Sequence, residues 1–252
     1  MVNAAALPKT IDLAIVGAGP QALTLVTHLL QKKKSMRNRF VVIDPSGQWL
    51  QQWQHQFSAY EIPHLRSPIV HHPDPNPYAL RAFAESRADE LFPPYDLPGT
   101  QLFHDFCQEI IRRWQLQDRV VSAQVNCLEP IRERGRQRFR LTFTNGQVLT
   151  ARRIVLAIAG GVPHVPDWVN ALPQNYPPER LCHSHQVDLR RLQLAGEQIL
   201  IVGSGLTAGH LAVGAIARGA QVMMMARRPF YQKLFDAQPG WLGPKYLKGF
   251  HA

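Results

Sequence analysis

Cysteine is scarce in this chain. Its 252 residues include 3 cysteines, Cys107, Cys127 and Cys182, widely separated. An odd, sparse set argues against a disulfide framework and fits reduced thiols. No Cys-x-x-Cys occurs, which argues against a dithiol redox centre and a structural zinc site. Long hydrophobic runs are missing too, and no apolar stretch approaches the roughly 20 residues of a membrane span. Residues 1–10 hold no basic cluster leading into an apolar stretch, so no signal peptide and a cytoplasmic location are expected. No Ser/His/Asp or Cys/His nucleophile arrangement stands out. Acidic residues are few, with 18 against 28 lysines and arginines, for a net charge of +10. The remaining composition, 45% hydrophobic and 18% charged, is that of a folded chain.

Much of the basic excess lies between Arg112 and Arg153. Arginine occupies every second position from Arg132 to Arg140. On one strand that period places the arginines on one face. A nucleic-acid stripe would interleave aromatics with the basic residues, and this run does not. A solvated edge hairpin, guarded by charge against stray strand pairing, is the expected form. Anionic cofactors are a second reason for a basic chain. No nucleic-acid or membrane partner is expected.

The apolar pattern predicts a buried strand at 11–16, a helix at 21–30 and a second strand at 40–43 ending at Asp44. Residues 46–99 form an expected irregular insert, rich in proline, histidine, glutamine and aromatics, that covers a cofactor or lines a substrate pocket. A helix follows at 101–115, then strands at 119–128, 139–144 and 147–149, with Asn145-Gly146 as a hairpin turn. Another strand is expected at 154–159, ending at Gly160-Gly161. Residues 162–178 read as linker, and 198–226 rebuild the strand, turn, helix, strand unit. The expected fold is α/β, with two Rossmann-like three-layer dinucleotide-binding domains, the second incomplete. The expected domains are 1–161, a hinge at 162–197, and the start of a second domain at 198–252.

Two glycine motifs carry the chemistry. Gly17-Ala18-Gly19-Pro20-Gln21-Ala22 fits G-x-G-x-x-A at a strand-to-helix turn. Gly17 permits the tight turn, Gly19 lets the backbone approach a pyrophosphate, and Ala22 lets the helix pack on the strand. The helix N-terminus offers free N–H groups to the phosphates. Asp44 ends the next strand, where a ribose-binding acid belongs. Gly203-Ser204-Gly205-Leu206-Thr207-Ala208 repeats the pattern, but its second strand runs into Arg227-Arg228. Arginine can hold a 2′-phosphate that an acid would repel. The acid-ended site first and the arginine-ended site second imply FAD followed by NADPH.

This order resembles the flavin-dependent monooxygenases, in particular the lysine/ornithine N-hydroxylases. Gly47-Gln48-Trp49 is similar to a Gly-x-Trp that follows the ribose acid there, which implies a cofactor role for Trp49. The run from Leu65 to Val70, followed by Asp74-Pro75-Asn76-Pro77-Tyr78, resembles a characteristic N-hydroxylase segment. His183-Ser184 matches a His-Ser pair, the prolines and glycines of 156–166 resemble an interdomain hinge, and 235–250 resembles the stretch past the second nucleotide motif. The chain departs from the pattern at Arg66, which stands where the family has a lysine for the substrate carboxylate, and at Glu61, where a glutamine is expected.

The resemblance implies an FAD- and NADPH-dependent monooxygenase that oxygenates an amine or other heteroatom with O₂ through a flavin C4a-hydroperoxide. A pyridine nucleotide–disulfide reductase shares the double fold but needs a cysteine pair. Family chains continue beyond residue 252, so a truncated chain, non-catalytic and at most weak in flavin binding, is a further expectation. Trp49, Trp53 and Phe57 suit either a stack on the flavin ring or ordinary core packing. His183 and His185 suit either a nucleotide contact or a structural role. His71 and His72 read as polar loop residues rather than metal ligands.

Overall fold

In the computed structural model, residues 7–67, 73–93, 96–158, 163–173 and 175–230 are described. They divide into two units. The first contains the described residues of 7–53 and 64–158, and the second those of 54–63 and 163–230.

The first unit begins with β1 (Thr10–Val16), α1 (Pro20–Lys32) and β2 (Phe40–Asp44). Proline opens α1 because the first helical N–H needs no intrahelical partner. Ala22, Leu23, Val26 and Leu30 recur at helical spacing and form the buried stripe. Next come α2 (Gln51–Ala59), which crosses into the second unit's segment, α3 (Ala79–Phe83), and the short antiparallel pair β3 (Leu91–Phe92) and β4 (Leu97–Pro98). The helix α4 (Thr100–Arg113) buries Phe103, Phe106, Ile110 and Ile111. Strands β5 (Val120–Ser122), β6 (Val125–Glu133), β7 (Arg136–Phe143) and β8 (Val148–Leu156) complete a six-stranded sheet of order β5-β2-β1-β8-β7-β6. The first four strands are parallel, β7 pairs antiparallel with β8, and β6 pairs antiparallel with β7.

The chain passes from β5 to β6 in two residues although they are the two ends of that order. From Ser122 to Val125 the chain reaches only about 10 Å. The sheet therefore coils until its antiparallel part folds over its parallel part. One core joins Ala14, Val41, Ile43 and Val121 from the parallel strands to Leu141, Phe143, Leu149 and Ala151 from the antiparallel ones.

Several sequence expectations change. The single strand at 119–128 is two strands, because the pairing partner changes from β2 to β7 across Ala123 and Gln124. The two strands at 147–149 and 154–159 are one, β8, whose first half pairs with β7 and whose second half pairs with β1. Arg152 and Arg153 interrupt the apolar pattern without interrupting the backbone ladder. The insert at 46–99 contains the regular helix α2, whose glutamine-rich sequence buries only Ala59 and so lacks an apolar stripe. Asn145-Gly146 lies in a hairpin turn, with Gly146 at φ 81° and the Asn145 side-chain oxygen accepting from Gln147 N at 3.0 Å.

The alternating arginines do not share one face. Arg134 and Gly135 form the tip of the β6–β7 hairpin, at φ 48° and 74°. Arg132 stands opposite Gln137, whereas Arg136 and Arg138 stand opposite Glu133 and Ile131. The two-residue turn therefore puts Arg132 on the other face from Arg136, Arg138 and Arg140. Only β6 of the two strands is an edge.

The second unit holds the parallel pair β9 (Gln198–Val202) and β10 (Gln221–Met225), with the helix α5 (Leu206–Ala217) between them in sequence. Ala59, Tyr60, Leu189 and Leu211 form its core cluster, with Ile201 packed against it. Among the described residues, no helix is long and apolar enough to cross a membrane. Residues Pro68 to His72, Gly160-Gly161 and the resemblance at 235–250 lie outside the described residues.

Candidate functional site

Gly17 sits at φ 101°, and a Cβ there would lie 2.4 Å from the Ala157 carbonyl oxygen. Its N–H donates to Ile43 O at 2.8 Å, which ties the turn to the end of β2. Gly19 is different. A Cβ added there would meet only the end of the Gln21 side chain, at 3.5 Å. Gly19 caps α1 without any side-chain hydrogen bond to the first turn. Exposed Gln21 follows, and Ala22 is fully buried where α1 packs on the sheet.

Asp44 lies beside this turn. Its Oδ2 accepts from Ala18 N at 3.1 Å. Its Oδ1 accepts from Ser46 N at 2.9 Å and Ser46 Oγ at 2.6 Å. Ser46, absent from the sequence-based set, thus fixes the carboxylate's orientation. Leu50 N donates to Ala18 O at 2.8 Å and closes the 44–50 loop over the glycine turn. Gly47 is required there, because at φ 68° its Cβ would meet Ser122 Cβ at 2.9 Å.

Trp49 is 7% exposed, and its indole N–H donates to Leu116 O at 2.8 Å. Trp53 packs on α4, with ring centroids 5.5 Å from Phe103 and 6.3 Å from His104. Both rings thus have protein neighbours. Arg66 is half-buried, just before the undescribed stretch 68–72. The segment that follows is held firmly. Buried Asp74 pairs with Arg113 and accepts from Asn76 N at 2.7 Å, and Thr27 Oγ1 donates to Pro73 O at 2.7 Å.

The second unit repeats the first turn's geometry. Gly203, at φ 150°, donates from its N–H to Met225 O at 2.8 Å, as Gly17 does to Ile43. Gly205 caps α5 as Gly19 caps α1, and a Cβ on it would meet nothing within 4 Å. Leu206 is exposed and Thr207 half-buried in the first turn. These hydrogen bonds make Met225 the counterpart of Ile43, so Ala226 is the counterpart of Asp44. The arginines come one and two residues later. Arg227 and Arg228 are exposed and make no ion pair among the described residues. With Phe230 they border an open concavity of about 530 Å³. Ala226 was missed in the sequence because only the hydrogen-bond register identifies its place.

Other sequence candidates have local roles. His183 caps a short 3₁₀ turn reciprocally with Gln186, and its Nδ1 lies 2.7 Å from His185 Nδ1. Ser184 O accepts from the Tyr60 hydroxyl at 3.0 Å. Glu61, at φ 51°, binds Arg218 through both oxygens at 2.8 and 2.9 Å. That guanidinium holds the Glu61 carboxyl below its ordinary range. Among the described residues, no group of three or more His, Cys, Asp or Glu could hold a metal ion.

Both turns leave open space beside the backbone, at a helix N-terminus that no side chain caps among the described residues. That is the requirement of a pyrophosphate. Comparison with known proteins gives the same direction. The family model for L-lysine 6-monooxygenase/L-ornithine 5-monooxygenase matches residues 9–239. L-lysine N6-monooxygenase of Escherichia coli is 26% identical over 144 residues, covering 55% of this chain and 32% of that protein. An ornithine hydroxylase structure from Pseudomonas aeruginosa matches with a TM-score of 0.68 at 20% identity, over 96% of this chain and 61% of that one. A cyclohexanone monooxygenase of Rhodococcus sp., bound to NADP+, matches with a TM-score of 0.55 at 14% identity, over 89% of this chain and 39% of that one. The chain thus spans about a third of its curated relative and 61% of the ornithine hydroxylase. With most of its length matched by the family model, the chain belongs to the L-lysine 6-monooxygenase/L-ornithine 5-monooxygenase family.

Proposed function

We propose that this protein is an FAD- and NADPH-dependent monooxygenase acting on an amine or other heteroatom. The observation that supports it best is the pair of open cradles at Gly19 and Gly205, each at an uncapped helix N-terminus. In this reading, residues 1–161 bind FAD, 162–197 are hinge, and 198–252 begin the NADPH domain.

Gly17, Gly19, Pro20, Gln21 and Ala22 form the diphosphate turn for FAD, and Asp44 holds a ribose hydroxyl. Ser46 donates to Asp44 Oδ1 and Ala18 N to Oδ2, so the carboxylate is held in one orientation. Trp49 serves by fixing the loop that closes over the turn. Gly203, Gly205, Leu206 and Thr207 form the second turn. Ala226 removes the acid that would repel a 2′-phosphate, and Arg227, with Arg228, supplies the positive charge. Arg66 holds a substrate carboxylate. Bound FAD supplies the redox chemistry that couples NADPH oxidation to oxygen transfer. Soluble cytoplasmic placement accompanies this reading.

The test is NADPH oxidation and hydroxylamine formation by the FAD-loaded chain, with ornithine, lysine and simple diamines as substrates. Product that depends on FAD, NADPH and O₂ together supports the proposal. A chain that binds both nucleotides yet forms no oxygenated product with any amine or heteroatom substrate overturns it.

A further inference from the structure

The first unit carries a basic concavity that the nucleotide turns do not use. It is about 810 Å³ in volume and lies where β1 begins, at the opposite end of that strand from Gly17. Arg39, Arg134, Arg136, Arg138 and Arg152 line it around Asp12. Glu133, on the hairpin, is the other carboxylate in the lining. Five guanidinium groups thus face two carboxylates.

The strand register explains the convergence. Ala151 stands opposite Ile11 and Arg153 opposite Leu13, so Arg152 falls beside Asp12. Phe139 stands opposite Ala151, so Arg138 is one step past the paired residues, next to Arg152. Arg39 reaches Asp12 from the start of β2 with an Nε–Oδ2 distance of 2.6 Å. Arg39, then Arg152 and Arg138, hold the Asp12 carboxyl below its ordinary range, so all three guanidinium groups are felt at one point.

Neighbouring like charges on adjacent strands are destabilising. Among the described residues, no carboxylate forms an ion pair with Arg134, Arg136, Arg138 or Arg152. Protection of a sheet edge does not account for Arg136, Arg138 and Arg152, because β7 and β8 are interior strands. Glu133 stands opposite Arg136 and Asp12 pairs with Arg39, so two carboxylates offset five guanidinium groups only in part, and such partly compensated like charge marks a functional position.

We propose that this concavity binds an anion carrying linked phosphate groups, at a site separate from both nucleotide turns. Guanidinium groups pair bidentately with phosphate oxygens. Several of them around one point match a compact multivalent anion better than carboxylates spread along a peptide. The lining also offers a single apolar residue, Ile11, so a peptide partner would find no anchoring pocket. The compact ligand relieves the repulsion between Arg138 and Arg152.

The experiment is isothermal titration of the full chain with sodium tripolyphosphate at low ionic strength. A Gly19→Val/Arg227→Ala double variant is titrated in parallel, so that binding at the nucleotide turns is separated out. Saturable binding that survives in this variant, but weakens at least tenfold in Arg138→Gln/Arg152→Gln, supports the site. Asp12→Asn removes the competing carboxylate and is expected to tighten binding, an effect that a purely structural role for Asp12 would not produce. ATP carries the same three phosphates and is titrated as well. Tighter binding of ATP assigns the site to a nucleotide, and tighter binding of tripolyphosphate assigns it to free polyphosphate; both orders support it. Binding unchanged in Arg138→Gln/Arg152→Gln, or an acidic peptide of equal charge binding as tightly, would overturn the proposal.

Discussion

Gly17 and Gly19 are both glycine, for opposite reasons. Gly17 is dictated by the protein, since any side chain would strike the end of β8. Gly19 is not, because the space beside it is open. In the proposed reading, Gly19 is small so that the diphosphate can approach the backbone. Gly19→Val is therefore expected to leave the far-UV circular dichroism nearly unchanged while flavin retention on gel filtration falls sharply. Unchanged flavin content would remove the first site from the proposal. At the second site, Arg227→Ala should weaken NADPH binding roughly tenfold to a hundredfold and NADH binding little, since a charge-assisted hydrogen bond contributes about 1.5–3 kcal/mol. Titration with both nucleotides decides it, and equal losses would mean that Arg227 does not read the 2′-phosphate. The motif glycines were legible in the sequence because their spacing alone is informative. Ala226 and Ser46 were not, because their roles come from hydrogen bonds to a neighbouring strand or loop. The cysteines also separate at this scale. Cys107 is buried, and burial raises its thiol pKa, whereas Cys127 and Cys182 are exposed. A thiol reagent at neutral pH should label the latter two in the native chain and Cys107 only after denaturation.

At the scale of elements, the helices and parallel strands around the glycine turns followed their apolar periodicity. The elements misread are those whose partners change along their length or whose sequence is polar. In β8 the arginines Arg152 and Arg153 hide a continuous strand that serves two partners in turn. In α2 four glutamines and one histidine in nine residues conceal a helix that buries only Ala59 and packs Trp53 on α4. The segment after Arg66 offers a test of such tertiary support. Asp74 is nearly buried, and its charge partner Arg113 projects from the last turn of α4. A fully buried pair would lose about 3–5 kcal/mol on breaking, but Arg113 is half exposed. Arg113→Ala is thus expected to cost about 1–2 kcal/mol in urea unfolding. Asp74→Asn, which keeps an acceptor for Asn76 N, should cost less than Asp74→Ala. Equal costs would show that the local turn contributes nothing.

For the whole molecule, the two units differ in how completely they bury their sheets. The coiled sheet of the first unit encloses its own core between its parallel and antiparallel parts. In the second unit the alternation of β9 and β10 sends Ile201 towards the α5 core and leaves Leu200, Val202, Met223 and Met225 exposed. Register places Leu200 opposite Met223 and Val202 opposite Met225, so the four form one contiguous apolar patch. The sequence shows why this was hard to foresee: a run such as 198–202 reads as a strand buried on both faces, and periodicity cannot say whether both faces are covered. Contiguous exposed apolar surface promotes association and binds hydrophobic dyes. A Met223→Lys/Met225→Lys variant of the 252-residue chain should therefore bind less anilinonaphthalene sulfonate and remain soluble at higher concentration. Its far-UV spectrum should hold, because both side chains point away from α5 and the backbone ladder to β9 is untouched. Dye binding equal to that of the parent chain would mean that this face is already covered in solution, and a lost helical signal would mean that the methionines support the packing of α5 after all.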